Sequence, residues 1–426
     1  MSDTLSLRLP AGMRDFAPRA AATRRRIAET LLSIFESWGY ARVITPAFEY
    51  EDVLGLGLGP EGRAATLRFV EPSSGRVVAL RPDFTPQIAR LISTRFRDET
   101  GPIRLCYEGP VLRLERGARS QRELIQAGVE LAGVGGPHGD ADVIALGAAA
   151  LAAVGLAEPE FDLTIDLGHL GLTREILAAL ALSPEGERAV RAAIAKRDPS
   201  GLDDALKASS ASPAVLRFVR ALPDLSGDPA ILKTALRQAP STSIRRALAE
   251  LQSIVDAVTR RAPRARLHVD LTEVRGFDYY TGMRFQIFAA GAAEPVLQGG
   301  RYDDLLGRYG RTSPAVGFAV DVEAAAGALE VAASAEGARK GDDASASRAG
   351  VLVIGAPEQA AARAAELRAQ GRATATLLIS MPPAQVAAYA ARWGYGEVMD
   401  AGGATASGAK RTAGSKPNVK KGLKKR

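Results

Sequence analysis

Cysteine and histidine are scarce in this chain. One cysteine, Cys106, in 426 residues leaves no partner for an intrachain disulfide and no basis for a cysteine-ligated metal centre. The three histidines, His138, His169 and His268, stand far apart, which argues against a zinc site. No metal or cofactor is expected. Long hydrophobic runs are also missing. The longest, Val143 to Ala157, is Ala- and Gly-rich and too short to span a bilayer, and Met1 to Arg26 has no apolar leader core. The expected compartment is the cytoplasm. Excess positive charge is absent from most of the chain as well. The net charge is +7, but eight cations and no acid lie in residues 401–426, which leaves −1 for residues 1–400. That body does not read as a nucleic-acid-binding surface.

What remains is ordinary for a soluble globular protein, 46% hydrophobic and 24% charged. The length allows two or three domains with a sizeable core. The basic tail is low in complexity and reads as a disordered, solvated terminus.

The densest chemistry lies between Glu273 and Asp303, EVRGFDYYTGMRFQIFAAGAAEPVLQGGRYD. Met283 to Phe288 alternates and is rich in aromatic and branched residues, which predicts a strand. Gly276, Gly282 and the pair Gly299-Gly300 bracket two clusters of Arg, Tyr and Asp. Glycine beside polar aromatics suits a backbone that approaches a small ligand. A β-hairpin with tyrosines on its solvent face would account for the same pattern. RGFDYYTG followed by GGRYD resembles the histidine-binding signatures of the histidyl-tRNA synthetases. The resemblance assigns Arg275 to a ligand carboxylate, and Tyr280 and Tyr302 to an imidazole.

Further motifs follow in the same order. Arg24 to Trp38 has helical spacing at Ile27, Leu31, Ile34, Phe35 and Trp38, is ended by Gly39, and precedes a strand expected over Tyr40–Pro46. GYARVITPAFEY resembles motif 1 of class II synthetases, which implies a homodimer. Residues 55–59, GLGLG, lack the flanking strand and helix of a dinucleotide site and read as a loop. Thr66–Val70 and Val77–Leu80 read as a hairpin. In ALRPDFTPQIAR, residues 79–90, Asp83 reads on its own as a cap for a helix starting near Pro86. The resemblance instead places Asp83 and Thr85 at the ammonium group of histidine.

Arg104 to Gly133 resembles motif 2, two antiparallel strands joined by a loop. Arg113 matches the motif's arginine, which holds phosphate and carboxylate. Gln126 and Glu130 match the acceptors that meet ammonium and imidazole. Alternation puts Gln126, Gly128 and Glu130 on one strand face. A buried Glu130 needs a partner, whether an imidazole N–H or a core arginine. The loop, ERGARSQRELIQ, departs from the family: its proline-glutamine pair is Gly117-Ala118 and its first loop arginine is Ser120.

Residues 161–171 read as a strand turning into a helix. Leu172 to Arg261 reads as a helical insertion with breaks at Pro184, Pro199, Pro213 and Pro240. PAVGFAVDVEAAAG, residues 314–327, resembles motif 3, a strand entering a helix. Here Asp321 replaces a glycine, and Ala324 replaces the arginine that grips ATP. An acid near polyphosphate repels it, and losing one charge-assisted contact costs roughly 1.5–3 kcal/mol.

The whole resembles the regulatory subunits of ATP phosphoribosyltransferase, a family of synthetase paralogues. The implied fold is α+β, a class II synthetase-like antiparallel sheet flanked by helices, with a small α/β remnant. The expected organisation is a histidine-binding core over residues 1–329, a linker over 330–350, a truncated anticodon-binding-like domain over 351–400 and the tail. The implied role is non-catalytic: histidine binds and controls a separate short catalytic subunit, with no tRNA and no membrane involved. An active histidyl-tRNA synthetase and a sensing module for another amino acid or protein are the alternatives.

Overall fold

The computed structural model describes residues 8–114, 122–157, 163–272, 279–337, 350–377 and 379–402. The chain divides into two compact units, Met1–Glu336 and Gly337–Arg426.

In the first unit, α1 (Pro18–Ser37) opens on a proline, whose missing N–H costs nothing in a first turn, and buries Ile27, Leu31 and Phe35. Trp38, expected on the same face, lies beyond the helix end and is 38% exposed. Gly39 turns the chain there with φ +83. β1 (Ala41–Arg42) is much shorter than the strand expected over Tyr40–Pro46. Only the Val43 N–H continues the pairing, to the Cys106 carbonyl at 2.9 Å.

β2 (Phe48–Tyr50) leads into two short helices, α2 (Glu51–Leu54) and α3 (Pro60–Ala64), with residues 55–59 forming the loop between them. The expected hairpin is present as β3 (Arg68–Val70) and β4 (Val77–Leu80), in a small antiparallel sheet of order β2-β4-β3. α4 (Thr85–Arg95) follows.

Two long strands, β5 (Ile103–Leu112) and β6 (Glu123–Ala132), pair antiparallel along their whole length. After α5 (Gly136–Val154) comes β7 (Thr164–His169) and then the helical insertion: α6 (Leu170–Leu180), α7 (Pro184–Lys196), α8 (Pro199–Leu206), α9 (Pro213–Ala221), α10 (Ile231–Gln238) and α11 (Thr242–Arg261). Pro184, Pro199 and Pro213 each open a helix, and the side chains of Ser183, Asp198 and Ser212 cap those starts. The insertion also supplies β8 (Ser226–Gly227). β9 (Arg266–Asp270), β10 (Met283–Phe288), β11 (Leu297–Arg301) and β12 (Ala315–Asp321) complete a nine-stranded sheet of order β1-β5-β6-β12-β11-β10-β7-β9-β8. It is antiparallel except at β1–β5 and β7–β9. α12 (Val322–Gly337) runs from the end of β12 through residues expected to be linker, because Ala and Glu favour helix.

The second unit contains β13 (Gly350–Ile354), α13 (Pro357–Ala369), β14 (Thr374–Thr376), α14 (Pro383–Trp393) and β15 (Tyr395–Asp400). Its three strands are parallel, in the order β14-β13-β15. The basic tail beyond Gly402 lies outside the described residues.

The main core lies on one face of the large sheet. α5 is apolar nearly all round and carries most of the Val143–Ala157 run, so that run is a buried helix. Ile144 and Leu151 share a cluster with Phe285, Ile287, Leu297, Phe318 and Val320, and Phe35 meets Phe318 edge-to-face at 5.6 Å. Among the described residues no helix is long and apolar enough to cross a membrane.

Arg301 pins α5 to this sheet. Its Nε donates to Asp140 Oδ1 at 2.8 Å, and its Nη groups donate to Asp303 and to the carbonyls of Val134 and Gly136. Burial pushes the Asp140 carboxyl up to about 6, and Arg301 holds it back. Arg301→Ala leaves that carboxylate uncompensated and is expected to lower stability by about 3–5 kcal/mol, read as a lower denaturant midpoint.

Candidate functional site

The opposite face of the sheet carries the polar residues. Strand register seats Glu130 beside Gly317, Gly128 beside Ala319 and Gln126 beside Asp321. Tyr107 lies beside Gly128, and Gly300 beside Gly317. Two glycines are required for this packing. A Cβ on Gly317 would overlap Glu130 Oε2, and one on Gly128 would collide with the Tyr107 hydroxyl and the Phe318 carbonyl. The floor of the site is therefore bare backbone, with side chains from neighbouring strands lying across it.

Over that floor opens a cleft lined by Asp83, Thr85, Arg113, Gln126, Tyr279, Tyr280, Tyr302 and Asp321, among others. Asp83 comes from the turn between β4 and α4, Thr85 from the first residue of α4, Arg113 from just past β5, and Gln126 and Glu130 from β6. Tyr280 precedes β10, and Tyr302 follows β11. The sheet thus brings together seven of the eight residues singled out in the sequence. The eighth, Arg275, lies outside the described residues, as does the loop at 115–121.

Glu130 is buried, 2% exposed. Thr85 Oγ1 donates to its Oε1 at 2.8 Å, Tyr107 OH donates to the same oxygen at 3.2 Å, and Tyr302 OH donates to Oε2. The partners of this buried carboxyl are hydroxyls, not the core arginine considered as one possibility. Burial pushes Glu130 up to about 8; the hydroxyls of Tyr302 and Thr85 oppose the rise, and the charge of Asp83 adds to it. Burial and the facing carboxylates also push the hydroxyls of Tyr107, Tyr279 and Tyr302 well up, so all three remain donors.

Asp83 makes a local turn at the start of α4, whose N-cap position is Phe84 rather than Asp83. Its Oδ1 accepts the Thr85 N–H at 3.3 Å, at the start of α4, and its Oδ2 accepts from Tyr279 OH at 2.5 Å. Arg113 is oriented by its Nε, which donates to the Pro82 carbonyl at 2.7 Å. Gln126 Oε1 is buried and has no hydrogen-bond partner among the described residues. An orphaned buried acceptor costs about 1–3 kcal/mol and is a standing demand for an N–H.

Two functional contacts escape sequence reasoning. Tyr107 and Tyr279 hold Glu130 and Asp83, respectively. Tyr279 was visible as half of a tyrosine pair. Tyr107 had no signal beyond a tyrosine in a strand, although Phe84 stacks on it at 4.3 Å with Arg81 on that ring's other side at 4.1 Å. Conversely, the arginine of GGRYD belongs to the core, where it holds Asp140, and only Tyr302 of that motif faces the cleft.

At the end of β12, Asp321 lines the cleft while its Oδ1 accepts the N–H groups of Glu323 and Ala324 at 2.9 and 3.0 Å. It caps α12. Taken together, the cleft offers the carboxyls of Asp83, Glu130 and Asp321, an orphaned amide oxygen and a tyrosine wall, which suits a small ligand rich in N–H donors and partly cationic.

The comparisons with known proteins agree with this architecture. The family model for histidyl-tRNA synthetase matches residues 12–325. A Geobacter sulfurreducens protein named ATP phosphoribosyltransferase regulatory subunit is 40% identical over 335 residues, covering 78% of this chain and 76% of its own. One of the same name from Anaeromyxobacter dehalogenans is 41% identical over 351 residues, covering 79% of this chain and 99% of its own. Among solved structures, an ATP phosphoribosyltransferase regulatory subunit/histidyl-tRNA synthetase from Bacillus halodurans superposes with a TM-score of 0.78 at 26% identity, over 94% of this chain and 99% of that one. The α+β fold is that of the class II synthetases.

Because the native carboxyl of Glu130 holds its proton up to about pH 8 while the unfolded one releases it near 4.5, the folded state binds the extra proton between those values. That contribution to stability is full below about 4.5 and is lost as pH rises through 8. In denaturant titrations from pH 5 to 8, Glu130→Gln is expected to flatten this decline.

Proposed function

The chain belongs to the ATP phosphoribosyltransferase regulatory subunits, a family built on the histidyl-tRNA synthetase fold, and we propose that it senses free histidine and passes that signal to a separate, short catalytic chain. The observation that carries this reading is the orphaned Gln126 Oε1 beside the hydroxyl-held carboxyl of Glu130, in a cleft walled by Tyr279, Tyr280 and Tyr302. An amino acid with an imidazole side chain supplies what those groups lack. Its ammonium meets Asp83, Thr85 and Gln126. Its ring N–H meets Glu130, with Tyr280 and Tyr302 around the ring. Arg113 and Arg275 take the carboxylate.

Free histidine is expected to bind measurably by calorimetry. Glu130→Ala should weaken it by about 1–3 kcal/mol, the scale of leaving a buried hydrogen-bonding group without its partner. No heat with the wild-type protein, or no weakening in the variant, would remove the assignment.

The reading is non-catalytic. Asp321 and Ala324 stand where an ATP-binding site needs a glycine and an arginine, so histidine-dependent pyrophosphate–ATP exchange should remain at background. Exchange above background would favour an active synthetase.

A pocket that holds an amino acid without activating it is a sensor, and sensing requires histidine to bind two global states unequally, by about 1–3 kcal/mol in typical couplings. The partner is the chain that joins ATP to phosphoribosyl diphosphate. The assembly is a symmetric hetero-oligomer on a dimer of this chain. In support, Ile44, just past β1, is 90% exposed, and Phe48, Phe69, Val70 and Val77 on the small sheet are also open. The basic tail is dispensable. In a steady-state assay, adding this protein to the catalytic chain should change its rate and confer a response to histidine. An unchanged rate without co-elution would point to a different regulated partner.

A further inference from the structure

We propose that Asp321 is a specificity-determining residue that closes the amino-acid pocket to phosphate-bearing ligands, so that the protein reads the free imidazole amino acid and ignores phosphate esters of the same skeleton. The inference rests on the reading of the cleft as a histidine pocket and specifies what that pocket refuses.

α12 follows Asp321 directly in the chain. A helix of 16 residues presents unsatisfied N–H groups and partial positive charge at its start, the feature that phosphate sites use. Here that start opens directly beside the cleft, because β12 delivers it there with Ala319 and Gly317 on the floor. Asp321 already occupies the position an anion would take. Its Oδ1 accepts from the backbone N–H groups of Glu323 and Ala324. The carboxylate thus acts as an internal anion, held by the same donors that would hold a phosphoryl oxygen.

Two further features keep it there. Glu323, in the first turn, is 8% exposed and is clamped by Arg14 at 2.6 Å and Arg24 at 2.7 Å, both stacked over Phe16. This ties down the helix start, and these two guanidinium groups serve Glu323, while Arg113 lines the cleft itself. Gln126 is the cross-strand neighbour of Asp321, so a ligand reaching the amide lies beside the carboxylate. A phosphoryl group at the mouth would meet Asp321 with its preferred donors already taken. An ammonium or imidazole N–H meets an acid-lined wall that favours it. Asp83 extends the same sign of charge deeper into the pocket.

The test compares L-histidinol with L-histidinol phosphate, which differ only in the phosphoryl group, by calorimetry on the full-length protein. The ratio of the two Kd values within each variant is the readout, so a general loss of affinity cancels, and far-UV circular dichroism checks folding. In the wild type the phosphate ester is expected to bind at least about tenfold more weakly. Asp321→Asn keeps the capping oxygen but removes the charge and should shrink that ratio by about tenfold, the scale of one charge-assisted contact. Asp321→Gly also frees the two N–H groups and should shrink it further. Equal affinities in the wild type, or a ratio unchanged in both variants, would overturn the assignment. If the wild type binds neither histidine nor histidinol, the underlying pocket reading falls, and this inference falls with it.

Discussion

A carboxyl buried at the centre of a sheet must find hydrogen-bond donors or become very costly, and the arrangement around Glu130 follows from that need. Thr85, Tyr107 and Tyr302 reach it from three separate parts of the chain. Each contact requires its own element to be in register: α4 against β6 for Thr85, β5 against β6 for Tyr107, and β11 against β12 for Tyr302. Glycine at 317 leaves the space the carboxyl occupies. Removing any of these conditions leaves an unsatisfied group in a low-dielectric interior. The ligand cleft is what remains open above this network, and its chemistry is that of the groups the network holds in place.

The two faces of the sheet serve different ends. One is packed by α5, α1 and the apolar residues of β10, β11 and β12, with the Arg301–Asp140 ion pair buried among them. The other is polar, floored by glycine, and bears the cleft. Alternation along β6 and β12 separates the faces residue by residue: Val129 and Phe318 go to the core, while Glu130 and Gly317 go to the site. A rigid packed layer directly beneath the site is what lets a few hydroxyls be positioned to within hydrogen-bonding tolerance.

On the reading proposed above, this chain keeps the groups that would hold an amino acid and alters those that would hold a nucleotide. The alteration at Asp321 is more than a lost contact. Its side chain takes over two of the donors at the start of α12, so those N–H groups are satisfied without a ligand. A fold shared with the synthetases therefore supports a regulatory family, because activity resides in a small number of side chains set on a common scaffold.

Much of this was legible in the sequence. Strand alternation predicted β10 and the strand faces of β6. Prolines marked the starts of α7, α8 and α9. Glycine-flanked Tyr and Asp clusters marked the cleft. Such signals are local, set by side-chain period, capping and φ restrictions within a few residues. The sequence by itself thus determined which elements form and which residue types cluster near glycine. It did not show that Trp38 falls outside the α1 face, that β1 stops after two residues, that Arg301 turns to Asp140, or that Tyr107 and Tyr279 hold the acidic groups. The hydrogen-bonded pairs among them are 23 to 196 residues apart in the chain. Only the tertiary structure could decide them, because which hydroxyl meets which carboxyl is set by strand order and register, and these are properties of the assembled sheet rather than of any segment within it.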